Sequence, residues 1–105
     1  MCDMTPAAQH ALRIIRDCLA KDRVVIVPHF MDRMEQRGMA WGDVLAVFDA
    51  PDAPGKLRDA GRDRYDRPRW IARGKAADML DVEIVCVLDR DDRGNVTVFI
   101  TIYDR

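Results

Sequence analysis

A chain of 105 residues that is 49% hydrophobic and 33% charged can build one modest core and leaves no room for a second domain, so residues 1–105 read as a single domain. Its net charge of −1 hides an uneven distribution: residues 56–75 carry eight basic and three acidic side chains, whereas residues 76–95 carry two basic and six acidic ones. These segments either neutralise each other as solvated surface or leave a local phosphate-facing patch on an otherwise neutral protein. Met1-Cys2-Asp3-Met4 is not a basic region leading into an apolar stretch, and no apolar run nears the ~20 residues that cross a bilayer, so the expectation is a soluble cytoplasmic protein with no membrane contact. Cys2, Cys18 and Cys86 are widely separated and in no ligand-like spacing with His10 or His29. They indicate neither a disulfide framework nor a zinc site, and no cofactor is implied.

Thr5-Pro6 is a good helix start, with Thr5 as cap and Pro6 at the first helical position. Ala8, Ala11, Leu12, Ile15, Cys18 and Leu19 then recur at three- and four-residue steps, which predicts an amphipathic helix to about Lys21 with Gln9, His10, Arg13, Arg16 and Asp17 outside. Val24-Val25-Ile26-Val27 is a short β-branched run ended by Pro28 and reads as a buried strand.

His29-Phe30-Met31-Asp32-Arg33-Met34-Glu35-Gln36-Arg37-Gly38 follows directly. As a helix it stacks His29, Arg33 and Arg37 at four-residue steps on one face and puts Phe30 and Met34 on a neighbouring one, with Gly38 as the left-handed residue that ends it. Two arginines one turn apart repel by a few tenths of a kcal/mol, roughly, so a carboxylate from elsewhere or an anionic ligand must favour them. A second short helix is expected from Trp41 to Phe48, with Trp41, Val44, Leu45 and Phe48 on its apolar side.

Residues 49–64 hold Pro51, Pro54, Gly55 and Gly61 among charges and read as a basic loop, with at most a brief strand near Leu57. Trp70-Ile71-Ala72-Arg73 is expected as an edge strand. Val82-Glu83-Ile84-Val85-Cys86-Val87-Leu88 reads as a central strand, and Asp91-Asp92-Arg93-Gly94-Asn95 as the turn after it. In the returning strand, uninterrupted alternation puts Val96, Val98, Ile100 and Ile102 on one apolar face and Thr97, Phe99, Thr101 and Tyr103 on the other. The expected core therefore combines Leu12, Ile15, Leu19, Phe30, Met34, Val44, Phe48, Val85, Val87, Ile100 and Ile102. Helices preceding strands argue for an α+β fold.

The helix motif, followed by Asp43-Val44, Arg67-Pro68-Arg69-Trp70, Gly74-Lys75, Leu80-Asp81-Val82 and the closing Val98-Phe99-Ile100-Thr101-Ile102-Tyr103, resembles a bacterial domain-of-unknown-function family whose helix reads H-x-x-x-R-M-x-x-R-G. The resemblance covers residues 24–105 and leaves residues 1–23 as an N-terminal helical extension. That family is grouped with the RelE-like toxins and the barnase, EndoU and colicin nucleases. The grouping implies N-terminal helices packed on a curved, mainly antiparallel sheet, metal-independent cleavage of RNA, and a toxin restrained by an antitoxin partner. One departure is the Val27-Pro28 entry to the helix, where a capping Ser or Thr is more usual.

Such cleavage needs a base for the ribose 2′-hydroxyl, an acid for the leaving oxygen, and cations for the phosphate charge of the transition state. Histidine titrates nearest neutrality, which makes His29 the candidate base or acid. Arg33 and Arg37 are candidates for a phosphate clamp that Arg67 and Arg69 would extend, and Tyr103 is a candidate proton donor or base-stacking ring. Each has a structural alternative: the histidine caps its helix, the arginines pair with Asp32, Glu35 or Asp104, and the tyrosine covers the core. The same cationic face would also suit a non-enzymatic module that binds nucleic acid or an acidic protein segment, or a regulatory subunit of a larger system.

Overall fold

The computed structural model describes residues 5–50, 57–76 and 79–104. Three helices, α1 (Pro6–Ala20), α2 (Pro28–Gln36) and α3 (Trp41–Asp49), pack on a five-stranded mixed sheet of β1 (Val24–Ile26), β2 (Leu57–Arg62), β3 (Pro68–Lys75), β4 (Asp81–Asp91) and β5 (Gly94–Asp104). The strand order is β1-β5-β4-β3-β2. β1 runs parallel to β5 and every other neighbouring pair is antiparallel, so the α+β expectation holds.

Local chemistry accounts for the helices. Thr5 Oγ1 accepts from the Ala8 N–H at 3.1 Å, and the buried stripe Ala8, Ala11, Leu12, Ile15 and Cys18 follows the expected period. Arg16, expected in solvent, is half-buried and donates from Nε to the Phe48 carbonyl at 2.9 Å, tying α1 to an open carbonyl near the end of α3. α2 has no side-chain cap, and its N-cap Val27 is extended. Pro28 removes one donor that would otherwise lack a partner. At the other end Gly38 has φ +66°, its N–H donates to Glu35 O at 3.1 Å, and Met39 N–H donates to Met34 O at 2.8 Å. This is a Schellman closure, with Met34 and Met39 both against the core. α3 lacks a capping hydroxyl at Ala40, but the Asp43 carboxylate accepts from the Ala40 N–H at 2.9 Å.

The core lies between the helices and one face of the sheet. Phe99 is its centre: its ring centroid is 5.3 Å from Trp41, 5.6 Å from Phe30 and 6.0 Å from Phe48, in tilted or edge-on contact. Ile84, Cys86, Val82, Trp70, Ala72 and Ile102 line the sheet side, and α1 adds Ala8, Ala11, Leu12 and Ile15. Gly74 lets α3 lie close to β3, since a Cβ there would stand 2.9 Å from Val47 Cγ1. Cys86 is fully enclosed, which pushes its thiol pKa up to about 12 and leaves it inert.

Four sequence expectations are corrected. The Val24 run forms β1, but as an edge strand with Val25 47% exposed, not the buried strand expected. β2 spans Leu57–Arg62 inside the expected loop and is the other edge strand, so β3 is interior; residues 51–56 of that loop, like residues 1–4 with Cys2, lie outside the described residues. Alternation along β5 is broken, because Val85 pairs with Thr101 while Cys86 pairs with Phe99, leaving Ile100 as a bulge. Phe99 and Ile102 therefore both face the helices, whereas Thr101 and Tyr103 turn to the opposite, open face. The expected core changes accordingly. Leu12, Ile15, Phe30, Val44, Phe48 and Ile102 are in it, and Leu19 and Met34 pack on its margin. Val85 and Ile100 are only half-buried, and buried Val87 lies between Arg69 and Val98 on the open face.

A candidate site at the edge of the open sheet face

β1 is too short to accompany β5 along its whole length: it pairs with Thr97, Val98 and Phe99 and then turns at Pro28 into α2. α2 takes its place beside the last turns of side chains on β5. Phe30 points inward to Phe99, which directs His29 and Arg33 to the rim of the open face. His29 is exposed, and its Nε2 shares a 3.1 Å hydrogen bond with Oγ1 of Thr101, a residue only 6% exposed. A threonine hydroxyl can donate to a ring nitrogen or accept from one, so either ring tautomer can make the contact.

Arg33, one turn along α2, reaches the Ile102 carbonyl with Nε at 3.5 Å and holds its guanidinium carbon 5.5 Å from the Tyr103 ring centroid. The cation thus lies over the aromatic ring within cation–π range, and Tyr103 stays 44% exposed. The bulge at Ile100 is what makes the group. With unbroken alternation Thr101 and Tyr103 would share the face of Phe99 and could not meet His29 and Arg33.

The structure thus brings together His29, Arg33 and Tyr103. Arg37 forms the C-cap of α2, one turn beyond Arg33, and is exposed. Arg67 and Arg69 lie elsewhere on the sheet. Arg69 pairs in register with Val87, two strands from β5, so its Cα is roughly 12 Å from that of Thr101 at ordinary strand spacings. Its guanidinium donates twice to the Ala60 carbonyl, at 3.0 and 3.2 Å. Arg67 is held between Asp63 (2.8 Å) and Asp89 (3.1 Å).

Sequence reasoning missed Thr101 and a band of charge beside Tyr103. Glu83 lies directly across from Tyr103 on β4, and its carboxylate, only 17% exposed, is 3.7 Å from Arg73 and 3.9 Å from Arg58. Glu83 is the one charged residue in the run from Val82 to Leu88, a signal that was available. Thr101 had none, because its facing depends on the bulge.

The acidic partners around Arg67 have a consequence for stability. Partial burial works against charge on Asp63, but the Arg67 amide and guanidinium and the Tyr65 amide outweigh it and hold the carboxyl below its usual range. The Arg90 amide and then Arg67 do the same for Asp89. Carboxyls depressed in the folded state stabilise it above the ordinary carboxylate pKa, and that contribution is lost as pH falls through the folded values. The melting temperature of the protein is therefore expected to fall on the acid side of the carboxylate range, and less steeply in Asp63→Asn. Thermal melts of both proteins across that range check this.

Comparison with known proteins finds no family model, no curated protein and no solved structure that matches the chain. Among the described residues no three His, Cys, Asp or Glu side chains are grouped to hold a metal ion, and no helix is long and apolar enough to cross a membrane.

Proposed function

We propose that the protein is a ribonuclease of the RelE-like, toxin-related type, cleaving RNA by acid–base chemistry at the His29–Arg33–Tyr103 edge. The observation that carries this reading is the convergence of three differently bonded groups on one exposed rim: an imidazole on a hydroxyl, a guanidinium over an aromatic ring, and a phenol. In this mechanism His29 takes the proton of a ribose 2′-hydroxyl, and the oxygen attacks the adjacent phosphorus. Arg33 holds the phosphate oxygens as negative charge builds on them, with Arg37 extending the clamp. Tyr103 gives its proton to the departing 5′-oxygen or stacks on the neighbouring base. The resemblance of the helix motif to the nuclease-related family supports the same chemistry, and a toxin of that type would be restrained by an antitoxin partner covering this rim.

A second reading, a non-enzymatic module that binds nucleic acid or an acidic protein, is favoured by one observation. The His29 ring is held by a hydroxyl and has no carboxylate partner among the described residues, unlike the carboxylate-oriented histidine of many acid–base sites. Incubating purified protein with single-stranded RNA in the absence of added divalent metal, beside His29→Ala, separates the two. Cleavage that His29→Ala abolishes supports the enzyme; binding without cleavage leaves the module.

A further inference from the structure

We propose that the tip of the β2–β3 hairpin is a stacking subsite for an unpaired nucleobase of single-stranded RNA, with the Tyr65 ring as its platform; this deepens the RNA reading above and rests on it. Tyr65 is 64% exposed, and the guanidinium carbons of Arg64 and Arg67 each lie 5.1 Å from its ring centroid. Its hydroxyl has no hydrogen-bond partner among the described residues.

The tip is built to hold the ring out. Asp63 Oδ1 accepts from the Tyr65 N–H at 3.0 Å and from the Arg67 N–H at 2.9 Å, while its other oxygen takes the Arg67 Nε–H at 2.8 Å. Arg62 donates to the Asp66 carbonyl at 2.6 Å, across a residue with φ +62°. The backbone beneath the ring is held in this way, so the hairpin tip loses little conformational freedom when something stacks on the ring.

The neighbours choose between classes of ligand. Arg62, Asp63, Arg64, Asp66, Arg67 and Arg69 surround the ring in sequence, so a protein partner would find no apolar rim to extend the contact. A nucleobase needs only a π-face and a nearby cation for its phosphate. Arg67, neutralised by Asp63 and Asp89, positions the ring instead of gripping phosphate, whereas Arg64 makes no ion pair among the described residues and supplies the cation. Asp89, which anchors Arg67, is six residues along β4 from Glu83, the cross-strand neighbour of Tyr103. That is roughly 20 Å on the same sheet face, a span that one short single strand covers.

The test is fluorescence anisotropy with a labelled oligouridylate of about eight nucleotides, within the range of single-strand binding sites. Inorganic polyphosphate serves as a competitor with charge and no bases, and thermal melts confirm that each variant is folded. Tyr65→Ala is expected to weaken oligonucleotide binding roughly 5- to 150-fold, with Tyr65→Phe close to wild type and polyphosphate affinity equal in all three. If wild type binds and cleaves RNA but folded Tyr65→Ala binds as tightly, the subsite is overturned and the ribonuclease reading stands. An equal loss of polyphosphate affinity also overturns it, because the ring would then act through charge or shape. A wild-type protein that binds no RNA removes both.

Discussion

Arg33→Ala is expected to lower single-turnover RNA cleavage by roughly 10²- to 10³-fold, the scale seen on removing one donor to a developing anion, while weakening RNA binding far less. The expectation follows from how the side chain is held. Its Nε reaches the Ile102 carbonyl and its guanidinium carbon lies 5.5 Å from the Tyr103 ring centroid, leaving the remaining N–H groups of the fork for an anion at the rim. Arg33→Lys keeps the charge but loses the planar fork and the stacked geometry, so it should behave more like the alanine variant than like wild type. A diffuse electrostatic surface would instead tolerate lysine and lose binding and turnover in parallel. Single-turnover rates beside equilibrium binding decide between these outcomes.

Phe99→Ala is expected to destabilise the fold by ~3–5 kcal/mol, a large share of the ~5–15 kcal/mol that holds a domain of this size. The ring is fully buried and touches Phe30 of α2, Trp41 and Phe48 of α3, so its loss leaves a cavity at the junction of two helices and the sheet. Flanking side chains cannot collapse into that space without moving α2 and, with it, His29 and Arg33. Urea denaturation measures the stability loss. A change under about 1 kcal/mol would mean that the site around Phe99 repacks freely.

Much of the architecture was legible in the residues. The three-and-four spacing of Ala8 to Cys18, the Gly38 stop and the β-branched run ending at Pro28 each name an element through a local cause, and the structure has them. The position of His29 in the first turn of α2 and of Arg33 one turn later was equally clear. What the sequence did not disclose is non-local. β2 carries Asp59, Ala60 and Gly61, which are poor strand formers, and it exists because β3 offers a partner. The bulge at Ile100 has no glycine or proline to mark it. It follows from the demand that Phe99 and Ile102 both meet the helices, and it decides that Tyr103 is a neighbour of Arg33. Arg67 and Arg69 looked like free cations on a basic stretch, yet Asp63, Asp89 and the Ala60 carbonyl engage them, and two of those three partners come from other strands.

The chemistry assigned to His29 is tested most directly with a deoxyoligonucleotide that carries one ribose, incubated in single-turnover conditions with the purified protein and without added divalent metal. Expected is a cut on the 3′ side of that ribose alone, leaving a 2′,3′-cyclic phosphate and a 5′-hydroxyl, with a rate that falls by roughly 10²- to 10⁴-fold in folded His29→Ala. An uncut substrate with folded wild-type protein, or equal cutting by His29→Ala, would contradict the assignment.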